Sequence, residues 1–205
     1  MKKGLTEIIF ILDESGSMAH MKDAAIKGFN SLLEEQKSLQ EGEATLSLIT
    51  FNHEYECIVD CLNIQEVLPL NENSYNPCGS TALYDCIGNV IEVTGTRLLW
   101  TSEEERPEKI LIAIFTDGEE NSSVKFKADL IKQMIEHQQN KYNWEFLFLA
   151  CNQDAMMAAR DIGINNYSNV AFTPQGMDGM YTACTDSITE FRSKGLVSQM
   201  PEDIK

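Results

Sequence analysis

The stretch IIFILDESGSM, residues 8–18, decides how this chain reads. Five apolar residues, Ile8 to Leu12, run straight into Asp13, Glu14, Ser15, Gly16 and Ser17. A short apolar run bounded by turn residues reads as a strand buried on both faces. Its end carries a carboxylate and two hydroxyls on alternate positions. An extended segment would point Asp13, Ser15 and Ser17 toward one side.

Outward from that stretch, strand-like runs alternate with helical periodicity. Met21, Ala25, Phe29, Leu32 and Leu33 form a helical stripe. ATLSLITF (44–51) and YECIVDCL (55–62) alternate at period two across 52–54, which predicts a hairpin. Leu83, Ile87, Val90, Ile91, Thr94 and Leu98 mark a second helix. SEEERPEK (102–109) reads as a solvated loop, with Pro107 barring helix continuation. ILIAIFTDG (110–118) is another apolar strand ending in an acid. Phe126, Leu130, Met134 and Ile135 predict a helix, and WEFLFLA (144–150) a strand. Ala155, Met156, Ala159 and Ile162 predict a short helix, NVAF (169–172) a last strand and 177–194 a last helix. Strands apolar on both faces and separated by helices imply an α/β fold. The expectation is a doubly wound, mostly parallel central sheet with one antiparallel edge strand and helices on both faces. Residues 1–195 read as one domain and 196–205 as a loosely held tail. In such sheets ligands bind at the carboxyl ends of the strands, near a topological switch point, and Asp13 and Asp117 both fall at strand ends.

Composition narrows the function. The chain has 205 residues, 43% hydrophobic and 23% charged, as in ordinary globular proteins. A net charge of −16 repels phosphate backbones, which argues against nucleic-acid and anionic-membrane partners. No apolar run approaches the roughly 18 residues that span a bilayer. MKKGLTEIIFILDES places two lysines before an apolar segment, but the segment is short, ends in acids and lacks a small-residue cleavage site. It reads as a first strand, and the expected compartment is the cytoplasm. Cysteines stand at 57, 61, 78, 86, 151 and 184, with no Cys-x-x-Cys pair. Cys57 and Cys61 share a predicted strand, where a gap of four spans roughly 13 Å, too far for a disulfide. Buried free thiols are expected, as suits a reducing compartment.

Two further segments offer oxygen groups like those of Asp13, Ser15 and Ser17. GSTALYD (79–85) puts Thr81 just before a helix, and FTDGEEN (115–121) puts Asp117 beside a glycine at a strand end. Carboxylate and hydroxyl oxygens are hard ligands, suited to Mg²⁺, Mn²⁺ or Ca²⁺ and poor for zinc. Singly, each has an ordinary explanation. Ser15, Ser17, Ser80 or Thr81 could cap a helix, and Asp117-Gly118 is a common turn pair. Jointly, three separate segments deliver oxygens to one edge of one predicted sheet.

Here the chain resembles a known family. ILDESGSM is similar to the Asp-x-Ser-x-Ser signature of von Willebrand factor type A (VWA) domains, whose doubly wound, Rossmann-like sheet carries a metal-ion-dependent adhesion site (MIDAS). GSTALYD is similar to the family's threonine loop and IFTDGEEN to its Thr-Asp-Gly strand end, in family order. FLFLACNQDA resembles small stand-alone bacterial members. The resemblance implies that Ser15, Ser17 and Thr81 are metal ligands and that Asp13 and Asp117 bind the metal directly or through water. It implies Mg²⁺ first, with Mn²⁺ or Ca²⁺ as alternatives, and a binding module rather than an enzyme. The partner would be a protein donating Asp or Glu to the metal. Glu14 and Glu119 have no family role and read as exposed acids.

Two rival readings stay open. A Mg²⁺-dependent phosphohydrolase could use Asp13 as nucleophile, but such chemistry wants a second acid where Ser15 stands, and no lysine is evidently placed to steady a phosphoryl group. A scaffold with a vestigial metal site is the other. A catalytic serine finds no support, because Gly-x-Ser-x-Gly is absent and none of His20, His53 and His137 presents itself as a base.

Overall fold

In the computed structural model, which describes residues 1–40, 42–118, 120–170, 174–197, 199–200 and 203–204, the opening stretch lies at the centre of the sheet. β1 (Lys2–Asp13) is flanked by β2 (Glu43–Phe51) and β4 (Pro107–Thr116). β3 (Tyr55–Asn63) lies outside β2. β5 (Glu145–Ala150), β6 (Tyr167–Val170) and β7 (Asp203–Ile204) follow β4 in turn. The order is β3-β2-β1-β4-β5-β6-β7, parallel at every pairing except β2 with β3. The chain therefore builds the sheet in one direction from β1 and then returns to build it in the other. That reversal makes the carboxyl ends of β1 and β4 the switch point.

Five helices cover the sheet among the described residues: α1 (Lys22–Ser38), α2 (Leu83–Trp100), α3 (Ala128–Tyr142), α4 (Gln153–Asp161) and α5 (Pro174–Lys194). Ile8, Phe10 and Leu12 join the core beneath α1 and α5, while Ile9 and Ile11 join the core beneath α2, α3 and α4. Burial on both faces is why the run has no polar alternation. The α1–α5 face is close-packed at Gly28. A Cβ built there would lie 2.1 Å from the Tyr181 ring, which itself stacks on Phe10 and Phe115. On the other face Glu7, 1% exposed, forms an ion pair with Arg97 of α2.

Several local expectations change. Pro107 is buried and opens β4 instead of sitting in a loop; a proline is tolerated at the first residue of a strand. Phe126 precedes α3, and its ring covers Gly88 of α2, where an added Cβ would lie 2.6 Å away. The last helix begins at Pro174, ahead of the expected 177. The expected strand at 169–172 is β6 as far as Val170, and residues 171–172 lie outside the described residues. The segment after Gly195 was expected to be loosely held, yet Met200 is 3% exposed within the core and Asp203–Ile204 pair with β6. All six cysteines are free, but only Cys86, Cys151 and Cys184 are buried; Cys61 is half-buried and Cys57 and Cys78 are exposed. Among the described residues no helix is long and apolar enough to cross a membrane.

Candidate metal site

The site grows from the ends of two neighbouring strands. Leu12 of β1 pairs with Phe115 of β4, so Asp13 and Thr116 end their strands side by side. The Asp13 carboxylate is fully buried and held at both oxygens. Oδ1 accepts from the Ser15 backbone N–H at 2.7 Å, and Oδ2 accepts from the Thr116 hydroxyl at 2.5 Å. Ser15 opens a short 3-10 helix (Gly16–Met21) with extended backbone, yet its side chain does not cap that helix. The hydroxyl turns instead toward Ser17, 3.0 Å away, and Ser17 donates to Asp117 Oδ1 at 2.7 Å. Since Ser17 has one proton and gives it to Asp117, Ser15 is the donor between the serines.

Thr81 comes from the other side. α2 is preceded by Ala82, so Thr81 is not its cap. Its backbone is clamped by the loop after β4. Thr81 N–H donates to Asn121 Oδ1 at 2.9 Å, and its carbonyl accepts from Asn121 N–H at 3.1 Å and Ser122 N–H at 3.2 Å. The three segments meet at Gly118, where a Cβ would lie 3.0 Å from Thr81 Oγ1 and 3.6 Å from Asp13 Oδ2. Only a glycine leaves that space open between the two oxygens. Backbone bonds from Gly16 to Gly79 (3.0 Å) and from Cys78 to Glu14 (2.8 Å) tie the first two loops together.

Burial dominates the electrostatics of both carboxylates. Burial pushes Asp13 up to about 6, against the downward pull of bonds from Thr116 and Ser15, and nearby Asp117 adds to the rise. Asp117 is also raised, first by burial, with the Ser17 bond and His20 opposing. Among the described residues no Lys or Arg pairs with either acid. Two acids sunk in the protein with no Lys or Arg paired to them are costly unless a cation joins them. The donor set fits a hard divalent ion: two carboxylates, three hydroxyls and the space at Gly118. No group of three His, Cys, Asp or Glu side chains gathers among the described residues, and this site would not form one, because three of its five side chains are hydroxyls.

Asp13, Ser15, Thr81 and Asp117 are thus gathered and buried, while Ser17 is exposed at the rim. Glu14, expected to be exposed, is half-buried and its carboxylate accepts from Asn76 N–H. Glu119 lies outside the described residues. His20 is exposed on the 3-10 helix, His53 lies beside Gly79 and His137 packs on Tyr142. Sequence reasoning missed the supporting groups. Thr116 holds Asp13, Tyr75 donates to the Asp13 carbonyl at 2.5 Å, Asn121 clamps Thr81, and Asn152 donates to the Asp117 carbonyl. Thr116 had a visible signal, a hydroxyl directly before a strand-end acid; the others did not.

No family model matches the chain, and no curated protein matches it in sequence. Solved structures do match. The PilB minor pilin from Streptococcus sanguinis superposes with a TM-score of 0.62 at 11% identity, covering 90% of this chain and 61% of the pilin. A von Willebrand factor type A protein from Catenulispora acidiphila gives 0.58 at 14% identity, over 89% of this chain and 42% of that one. Proximal thread matrix protein 1 from the mussel byssus, solved with a zinc-occupied MIDAS motif, gives 0.56 at 15% identity, over 89% and 46%. The chain spans only 42–61% of the length of these three proteins. At such identities the likeness speaks for architecture, and the chain has the fold of von Willebrand factor type A domains.

Proposed function

We propose that this domain is a protein-binding module that holds a divalent cation at Asp13, Ser15, Ser17, Thr81 and Asp117 and offers it to an Asp or Glu of a partner protein. The observation that carries this reading is the meeting of three chain segments around Gly118, with two carboxylates, three hydroxyls and, among the described residues, no Lys or Arg paired with either acid. When bound, such an ion supplies a positive centre that accepts a carboxylate oxygen. Asp13 and Asp117 provide the negative charge, and Ser15, Ser17 and Thr81 provide neutral oxygens. Thr116 and the Ser15 backbone hold the Asp13 carboxylate in one orientation, and Asn121 holds Thr81. Where Asp13 and Asp117 reach the ion through water, the directly bonded oxygens are the neutral hydroxyls, and the ion keeps its attraction for an incoming carboxylate. Mg²⁺ is the first expectation; the zinc in the mussel protein makes Zn²⁺ a necessary comparison beside Mn²⁺ and Ca²⁺.

Nucleophilic use of Asp13 is disfavoured, since Ser15 stands where such chemistry wants a second acid and, among the described residues, no Lys or Arg pairs with either carboxylate. The free, exposed thiols of Cys57 and Cys78 support a reducing, cytoplasmic setting. Calorimetric titration with each ion should show one site, weakened in the rim variant Ser17→Ala and lost in Asp13→Ala, with circular dichroism confirming that both fold. Capture of a partner from native lysate should disappear in EDTA and return with Mg²⁺. Equal ion binding by wild type and both variants would overturn the site; equal capture in EDTA would favour the scaffold.

A further inference from the structure

The end of the sheet away from the metal site holds a cavity of about 340 Å³. It lies between the last turns of α2 and α3, over the first residues of β4 and β5. Pro107, Ile110 and Trp144, all buried, form its floor, and the exposed side chains of Leu99 and Tyr142 stand at its mouth. Small-molecule sites share that design: about 300–1,000 Å³, mostly apolar and aromatic, with a few polar groups. Two donors of the lining stand without an acceptor. Trp144 is 4% exposed, yet its indole N–H has no hydrogen-bond partner among the described residues. The unpartnered polar atoms sealed from solvent belong to Glu7, Thr50, Ser122, Tyr181 and Arg192, so the Trp144 N–H is an open donor and not an enclosed one. A buried indole N–H usually finds an acceptor. Arg106 is pinned by the end of α2, where Nε donates to the Thr101 carbonyl at 3.0 Å and Nη2 to the Leu99 carbonyl at 3.5 Å. Its Nη1 remains, and among the described residues no ion pair engages the guanidinium. Of the two acids in the lining, Glu108 accepts from Gly4 N–H at 2.7 Å and Glu103 stands exposed on the loop after α2. Gly95 of α2 also lines the cavity. Gly28 and Gly88 lie under aromatic rings that a Cβ would strike, but a Cβ at Gly95 would meet nothing within 4 Å. A glycine inside a helix lowers stability, and here packing does not require one. Its effect is to keep the space open.

We propose that this cavity binds a small aromatic carboxylic acid, with the ring on the apolar floor and the carboxylate on the donors that Trp144 and Arg106 leave free. A guanidinium matches a carboxylate in geometry and charge, and the bond is stronger for being charge-assisted. An amide of the same shape keeps an acceptor but loses the ion pair, and an amine meets Arg106 with like charge. The net charge of −16 opposes an anion at long range, but salt at physiological strength screens beyond about 8 Å, so the contact inside the cavity decides affinity. The cavity shares no residue with the metal site, and its occupancy does not depend on a cation there.

The probes are indole-3-acetate, the neutral indole-3-acetamide and the amine tryptamine, each titrated in EDTA into the ¹⁵N-labelled full chain and followed by NMR. The chain has two tryptophans, so two indole N–H signals read the site directly. With the acid, the Trp144 signal should move and saturate, with a Kd of about 1 mM or tighter for a ligand of this size. The signal of Trp100, which is 84% exposed and outside the cavity, should stay. The amide should bind at least about fivefold more weakly, and the amine more weakly still. Arg106→Gln should remove the preference for acid over amide. Gly95→Leu places a side chain in the open space and should abolish saturable binding with no fall in Tm. Asp13→Ala should bind the acid as wild type does. Equal shifts at both tryptophans, or unchanged binding in Gly95→Leu, overturn the cavity as a site. An amide or amine that binds wild type as tightly as the acid overturns the carboxylate assignment, and that comparison stands even if Arg106→Gln fails to fold.

Discussion

A single methyl group at Gly118 tests the centre of the site. Its φ lies outside the left-handed region, so alanine brings no backbone strain. The added Cβ would lie 3.0 Å from Thr81 Oγ1, 3.5 Å from Thr81 Cγ2 and 3.6 Å from Asp13 Oδ2. The first separation is too short for carbon and oxygen, and one side must give by a few tenths of an ångström. Thr81 has little room to do so, being 3% exposed with its backbone clamped by Asn121 and Ser122. Metal–ligand distances tolerate only about ±0.2 Å. Mg²⁺, with short bonds and a near-ideal octahedron, should lose at least about tenfold in affinity, which is about 1.4 kcal/mol. Ca²⁺, with longer bonds and flexible geometry, should lose less. Without metal the variant should be only mildly overpacked, by about 1 kcal/mol, lowering Tm by about 2–4 °C. Calorimetry with both ions and thermal unfolding in EDTA separate these effects. Wild-type Mg²⁺ affinity in Gly118→Ala would refute the argument, because Thr81 and Asp13 could not then both face the ion.

Three other outcomes are expected. Asp13 titrates near 6 in the folded chain against 3.8 for an ordinary aspartate, so without metal its contribution to stability is full below the lower value and is lost as pH rises through 6. Metal requires the carboxylate, so the Tm gain from Mg²⁺ over EDTA should shrink as pH falls from 7 toward 5, about the Asp13 value; a gain independent of pH would count against Asp13. Arg97→Leu should cost up to about 3 kcal/mol in urea unfolding, since it strands the buried Glu7, whose second oxygen already lacks a partner, and Glu7→Leu/Arg97→Leu should recover most of it. Gly28→Ala should cost more than about 2 kcal/mol, because its Cβ would enter the Tyr181 ring between α1 and α5; near-wild-type unfolding would mean that the two helices separate easily.

What the sequence made legible follows from burial. β1, β4 and β5 stand out because both of their faces are covered, leaving no polar residue within the apolar run. β3 is the antiparallel edge strand, exposed or half-exposed along its whole length, and its alternation is correspondingly weak. The five side chains of the candidate site were visible because their chemistry is local, a hydroxyl or an acid at a strand end or just before a helix. Their supports were not, because support depends on where a loop travels. Tyr75 stands in a polar stretch, ENSYNPCGS, that looks solvated, yet it is completely buried with its hydroxyl on the Asp13 carbonyl. Asn121 is ordinary turn chemistry until the loop after β4 comes against Thr81. Pro107 looked like a helix breaker because its neighbours are charged; only the pairing of β1 with β4 makes it a strand residue.

The distance in sequence between the proposed ligands has a thermodynamic consequence. Ser17 and Asp117 are 100 residues apart, and their hydrogen bond exists only once β1 and β4 are paired and both loops are in place. An unfolded chain offers no such arrangement, so a cation bound there would stabilise the folded state alone. At 100 times Kd that stabilisation is about 2.7 kcal/mol, large against the usual 5–15 kcal/mol of a domain. The same linkage works on the partner side. The hydrogen-bonded chain Ser15–Ser17–Asp117 is anchored at Asp117 by Asn152 on its carbonyl, and at Ser15 by the bond from its own N–H to Asp13. A shift in Asp117 would be felt first at Ser17, which lies on the 3-10 helix. A carboxylate arriving at the ion would act on that chain first. On the proposed reading, partner binding and the position of the Gly16–Met21 helix would be two readouts of one equilibrium, coupled through two serine hydroxyls.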